Sequence, residues 1–281
     1  TFFKVVYRRH TNFAIEAIQQ TFNGTPNFGN RVTCQISRNG DLIHRVYLAV
    51  VNYSSGNNVC PYFGLRLINY VEIEIGGQKI DKHYGEWLHI WHELNLSADH
   101  REGYNEMIGN IPEIYDPANA NGNNNIYPAS QIGVDFIPSI KSYRLAVPLI
   151  FWFNRHPGLA LPLIALQYHE VEIQFIMRPV KDLYTIIDTD ISSDTYGYVI
   201  KPYGNSGPQR IENFLTSSSL AKTNSDGNKS LIRFDIDPRL EVTYIFLDAD
   251  ERQRFASVDH EFLIERVFRI EQAGLSGGGS H

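Results

Sequence analysis

The sequence predicts a mainly β protein, a jelly-roll β-sandwich with long loop insertions and short helices. Three observations carry this. Residues 143–178 (YRLAVPLIFWFNRHPGLALPLIALQYHEVEIQFIMR) read as two long strands, 143–153 and 159–178, around a tight turn at 154–158 that holds Pro157 and Gly158. The first strand ends in an apolar run, Leu149, Ile150, Phe151, Trp152 and Phe153, whereas the second alternates Val171, Ile173 and Phe175 with Glu172 and Gln174. An unbroken run indicates burial on both faces and alternation a half-buried sheet, so a second sheet must cover this hairpin. The 16 Tyr and 16 Phe also favour sheet over helix. Pro148 and Pro162 are expected at an edge, a bulge or a bend, because neither can donate to a ladder.

From the N-terminus, residues 2–8 (FFKVVYR) read as a strand. Phe13, Ile15 and Ala17 step by two, which favours strand over helix for 11–22. Residues 31–38 alternate, with Val32, Cys34 and Ile36 inward. Asn39-Gly40 is a strong hairpin signal, with 42–53 as its partner strand. Residues 62–75 (YFGLRLINYVEIEI) read as another long strand, closed by a tight turn at Gly76-Gly77 that tolerates positive φ. A helix is expected next, with Asp81 as N-cap and a stripe of Tyr84, Trp87, Leu88, Trp91 and Leu94. Gly85 within it is expected to permit close approach of another backbone. Residues 97–109 read as a second short helix.

Two long polar excursions follow, 111–141 and 179–229, the second carrying a strand fragment at 196–201. Loops of this length inside a compact domain are unusual as filler and point to exposed elaborations or contacts between subunits. Beyond them, 231–236 and 240–247 read as strands with a boundary at Asp237-Pro238. Residues 250–256 read as a helical turn and 260–270 as strand.

A chain of 281 residues, 43% hydrophobic and 20% charged, can bury a sizeable core. The net charge of -6 weighs against a nucleic-acid surface. No apolar run reaches membrane-spanning length. Cys34 and Cys60 lack metal spacing and are read as free thiols of a reducing compartment rather than a disulfide. The chain begins at Thr1 with no visible signal peptide, and residues 276–281 (SGGGSH) resemble a linker. It reads as a piece of a longer polypeptide.

Candidate chemistry is sparse. His89, His92 and Glu93 share a helix, and a zinc site could be built there, but the metalloprotease spacing is absent and a solvated face is favoured. Asp188, Asp190 and Asp194 resemble part of a calcium loop without its glycine and terminal Glu, so a solvated loop is favoured. Cys34 alternates inward and is read as core. Four sequons, at Asn23, Asn52, Asn95 and Asn228, are read as chance matches. Arg8, Arg9 and His10 form a small basic cluster that suits a strand end, an acidic neighbour or an inner membrane. No nucleotide-binding or nucleophile-elbow glycine pattern occurs. No catalytic residue, metal or cofactor is assigned.

Four segments resemble the major capsid protein family of nucleocytoplasmic large DNA viruses, which includes iridoviruses, phycodnaviruses and marseilleviruses. They are FFKVVYRRHTNFAIE (2–16), VEIEIGGQKIDKHYGEWLHIWHEL (71–94), PLIFWFNRHPGLALPLIALQYHEVEI (148–173) and YIFLDADERQRFASVDHEFLIERV (244–267). The resemblance implies a double jelly roll, with the first occupying 1–238 and the second beginning at 239–281. It implies homotrimers that form pseudo-hexagonal capsomers, neighbouring capsomers and minor capsid proteins as partners, an inner membrane nearby, no direct nucleic acid, and a place in the virion after assembly in the host cytoplasm. Trp87 and Trp91 are expected to anchor the helix, and Phe151, Trp152 and Phe153 to fill the core. The loop 111–141 is expected to contact neighbouring subunits. A second reading is a carbohydrate-binding or carbohydrate-active jelly roll, although no spacing singles out a carboxylate pair.

Overall fold

The structure is a computed structural model that describes residues 11–52, 61–116, 143–187, 191–192, 194–200, 222–223, 229–230 and 236–271. The strand expected at 2–8, the Arg8-Arg9-His10 cluster, Cys60, Asp188, Asp190, all but the last residue of the strand expected at 231–236 and most of both long excursions lie outside these residues.

Two antiparallel sheets make the sandwich. The first contains β1 (Phe13–Gln20), β3 (Leu42–Asn52), β6 (Tyr143–Pro148) and β13 (Ile236–Leu247) in the order β1-β13-β3-β6, with the short β7 (Leu161–Pro162) also on β3. The second contains β2 (Arg31–Gln35), β4 (Ile68–Ile75), β5 (Gln78–Tyr84) and β8 (Val171–Met177) in the order β2-β8-β4-β5. The chain crosses from sheet to sheet as it wraps, and the eight long strands close a jelly roll. Two short ladders decorate it among the described residues, β9 (Ile186–Ile187) with β10 (Val199–Ile200) and β11 (Lys222–Thr223) with β12 (Lys229–Ser230).

Alternation places one side of each strand in a shared core. Val32 and Cys34 of β2, Leu48 and Val50 of β3, Val71 and Ile73 of β4, Phe175 of β8 and Val242 and Tyr244 of β13 are all buried in it. A second, small cluster unites Leu42, Ala160 and Ile245, flanked by Phe255 of the helix that follows β13.

Several local expectations change in three dimensions. Asn39-Gly40 is not a hairpin turn but a corner between sheets. Ile36 N–H donates to Val171 O of the second sheet, and Asp41 N–H donates to Ile245 O of the first. Tyr244 Oη donates to Ser37 O across the corner at 2.7 Å.

The long hairpin is also absent, since β6 and β8 belong to different sheets. The chain leaves β6 at Pro148, forms the helical turn α5 (Trp152–Arg155) and a 3-10 turn (Pro157–Leu159), touches β3 as β7, and only then enters β8. The apolar run correctly signalled burial, but total burial suits a packed turn as well as a strand. Both prolines do sit at strand ends: Pro148 closes edge strand β6, and Pro162 closes the two-residue β7.

Residues 62–75 divide in the same way. A buried helical turn, α1 (Phe63–Leu67), precedes β4. Gly76 and Gly77 do make the tight turn, both at positive φ, but it leads into strand β5, not a helix. Asp81 therefore lies buried in a strand, and α2 (Gly85–Asn95) starts four residues later. On α2, Leu88 is buried and Trp87 and Trp91 are partly buried, while Leu94 faces solvent. The second short helix, α3 (Ala98–Ile108), is present, as is a turn, α4 (Pro112–Tyr115).

Asp237-Pro238 lies inside β13 and ends nothing. At that point β13 pairs only with β3, because its ladder with β1 begins at Leu240, so the proline's missing donor is not needed on the open side. The helical turn near 250 is α6 (Ala249–Ser257), capped by Asp248 through Glu251 N–H at 3.0 Å. Residues 260–270, expected as strand, have no regular secondary structure. Strand β1 is present as expected, but Phe13 and Ile15 face outward on an edge.

Candidate functional site

Aromatic and polar contacts from several elements gather at the α5 end of the sandwich. Phe151, Trp152 and Phe153 are buried there. Phe151 and Phe153 stack at 5.8 Å between centroids, and Trp152 meets Phe153 edge-on at 5.0 Å. Strand β3 holds this turn by a reciprocal contact, in which His44 Nδ1 lies 3.0 Å from Phe153 O and Asn154 Nδ2 donates to His44 O at 2.6 Å. Sequence reading missed His44, which stands beside Arg45 in β3 with no spacing that marks it as buried. Gly158 N–H, in the following turn with Pro157, donates to His156 Nδ1.

The second missed pair is Asp81 and His83, two residues apart on one face of β5. Both are buried, with His83 Nε2 and Asp81 Oδ2 3.0 Å apart. The contact is out of line for a hydrogen bond, so proximity rather than a directed bond joins them. Asp81 Oδ1 accepts from Lys82 N–H, and the His83 ring stacks on Phe151 at 5.0 Å. The pair thus connects the second sheet to the α5 turn.

Helix α2 closes the same end. Trp87 and Trp91 lie 6.0 Å apart, and the Arg155 guanidinium sits 4.2 Å from the Trp91 ring centre. Gly85 permits the helix to start here, because a Cβ would fall 2.3 Å from Leu65 O and 2.4 Å from Ile68 O.

The candidate metal ligands do not converge. His92 Nδ1 contacts Leu88 O, its ring stacks on Tyr104, and burial lowers its pKa. His89 packs on Tyr62, and Glu93 pairs with Arg101 at 2.8 Å. Among the described residues no group of three His, Cys, Asp or Glu could hold a metal ion. Cys34 is buried in β2, where desolvation pushes its thiol up to about 12. These arrangements make rigid packing surfaces. None pairs a nucleophile with a base, and no described helix is long and apolar enough to cross a membrane.

Comparisons with known proteins match this picture. A family model described as the major capsid protein N-terminus matches residues 1–206. The major capsid protein of Pyramimonas orientalis virus is 44% identical over 269 residues, 95% of this chain and 52% of that protein. Capsid protein 1 of Acanthamoeba polyphaga mimivirus is 38% identical over 295 residues, 100% of this chain and 42% of that protein. Among solved structures, PBCV-1 VP54, fitted into a reconstruction of the virophage Sputnik, aligns with TM-score 0.62 at 37% identity, covering 95% of this chain and 50% of that one. The Faustovirus major capsid protein aligns with TM-score 0.58 at 13% identity, over 91% of this chain and 58% of that one, a likeness of fold. The chain spans about half the length of the curated relatives it matches. With its eight-stranded jelly roll and a match over most of its length, the chain belongs to the major capsid protein family, to whose N-terminal region it corresponds.

Proposed function

We propose that this chain is the first jelly roll of a structural major capsid protein that trimerises into pseudo-hexagonal capsomers and builds an icosahedral shell. The observation that carries the reading is the complete eight-strand wrap in a chain 44% identical to a viral major capsid protein. Work of this kind needs no catalytic centre. It needs rigid bodies with large self-complementary interfaces, repeated by symmetry. Neighbouring capsomers and minor capsid proteins are the partners, the virion is the location, and assembly takes place in the host cytoplasm. Strand β13, which runs to Leu247 between β1 and β3, supports a first domain that extends to Leu247 rather than to 238, with the second jelly roll beginning after it.

Sedimentation velocity and electron microscopy of the full-length protein test this. A trimer with a pseudo-hexagonal outline is expected. A stable monomer that binds or hydrolyses glycans would replace the capsid reading with the carbohydrate one.

A further inference from the structure

We infer that α6 is a rigid bracket that fixes the direction in which the second jelly roll leaves the first, with Asp41 as its positioning residue. The inference rests on the reading that a second jelly roll follows β13. Neighbouring domains of one chain move against each other unless a contact holds them. Here only Asp248 separates the end of β13 at Leu247 from the start of α6 at Ala249. No glycine occurs between Leu240 and Val258, so the connection lacks the residue that most loosens a linker.

Asp248, Arg252 and Phe255 stand at i, i+4 and i+7 and so share one face of the helix. Asp248 Oδ1 caps α6, while its Oδ2 accepts from Thr11 Oγ1, just before β1, at 2.8 Å. Arg252 forks onto Asp41, with Nε 3.1 Å from Oδ1 and Nη2 3.2 Å from Oδ2. Phe255 packs against the cluster of Leu42, Ala160 and Ile245. The helix is therefore held to the sandwich from its cap to its last turn.

Asp41 does more than pair with Arg252. Its Oδ2 also accepts from Leu247 N–H at 2.8 Å. Its N–H donates to Ile245 O at 3.1 Å, and its carbonyl accepts from Ile164 N–H at 3.2 Å. One residue thus joins the corner before β3, the end of β13, the chain just after β7, and α6. Its side chain is 12% exposed, whereas that of Arg252 is 52% exposed. A pair so open to water contributes little to stability. A two-pronged guanidinium–carboxylate contact is nevertheless directional. The pair therefore sets the angle of the helix, and Phe255 supplies the attachment.

Single-molecule energy transfer on the full-length protein tests this, at dilutions where each chain is alone. One dye sits at Glu102→Cys, on the exposed side of α3, and the other on a cysteine placed in the second jelly roll. Cys60→Ser removes a competing thiol, and Cys34 is buried. The unmodified joint should give one narrow distribution of inter-domain distances. Arg252→Ala with Phe255→Ala should widen that distribution about twofold, as expected of domains freed to move, while the first jelly roll still unfolds cooperatively. Should the double variant fail to fold, Arg252→Gln alone decides, since this exposed side chain can lose its fork without opening a core, and it should widen the distribution as well. A broad distribution in the unmodified protein, or an unchanged width in a folded variant, would overturn the bracket. Failure of the capsid reading has a different signature: a narrow distribution in a full-length protein that never trimerises would sink that reading and leave the bracket standing.

Discussion

His44 and Asn154 hold each other across the sandwich. The Asn154 amide donates to the His44 carbonyl at 2.6 Å, while His44 Nδ1 lies 3.0 Å from the carbonyl of Phe153, the residue before Asn154. One strand residue thus grips two successive residues of the turn that carries the aromatic core. Asn154→Ala should cost about 1–3 kcal/mol, because it strips a donor from a half-buried carbonyl. Chemical denaturation measures this, and an unchanged midpoint would show that the grip is incidental.

Trp152→Ala should cost about 3–5 kcal/mol by leaving a cavity under the end of the sandwich. The side chain is only 4% exposed and packs edge-on against Phe153. In the full-length protein the same change should abolish capsomers. Correctly sized, soluble capsomers from that variant would contradict the role given to this residue.

Gly85→Ala should be damaging although alanine is the better helix former. The added methyl meets two backbone carbonyl oxygens, at 2.3 and 2.4 Å, and neither can move without displacing α1 or β4. Overpacking of this kind costs about 1–3 kcal/mol. A lower thermal midpoint is expected, and a higher one would mean that α2 can shift freely.

Asp81 and His83 should be strongly coupled. His83→Phe keeps a ring against Phe151 but leaves the Asp81 carboxylate buried with only the Lys82 N–H as partner. Losing one member of a buried pair costs about 3–5 kcal/mol, whereas replacing both with apolar residues often costs little. The double change Asp81→Leu with His83→Phe should recover most of the loss. A double-mutant cycle by urea denaturation reads the coupling, and simple additivity would argue against it.

Alkali should weaken the fold through buried acids. Desolvation raises the Cys34 thiol from 9.0 to about 12 and lifts the Tyr104 and Tyr244 phenols above 10.0. Each group keeps its proton longer folded than unfolded. Its contribution is therefore complete below the unfolded pKa and is lost as pH rises through the folded value. The denaturation midpoint should fall from about pH 9 upward. Cys34→Val should flatten the first part of that fall, and a slope unchanged by the substitution would exclude Cys34 as a source.

By itself, the sequence determined the class of fold, the core strands and the family. Alternation at Val32 and Cys34 or at Val171, Ile173 and Phe175 assigns an inward face without further help, because side chains in a strand alternate sides. Gly76-Gly77 announced its turn, and Gly85 its close contact, because glycine serves where other residues do not fit. Only the tertiary structure decided which strands are neighbours. Asn39-Gly40 and 154–158 read as hairpin turns, yet both lie on crossings between sheets, since a local turn signal says that the chain bends and not what it meets afterwards. Likewise the run from Leu149 to Phe153 called for burial and was silent on conformation. The roles of His44, Asp81 and His83 were invisible for the same reason. A polar residue in a strand is structural or exposed according to what is packed against it, and those partners arrive from as far as 110 residues away along the chain.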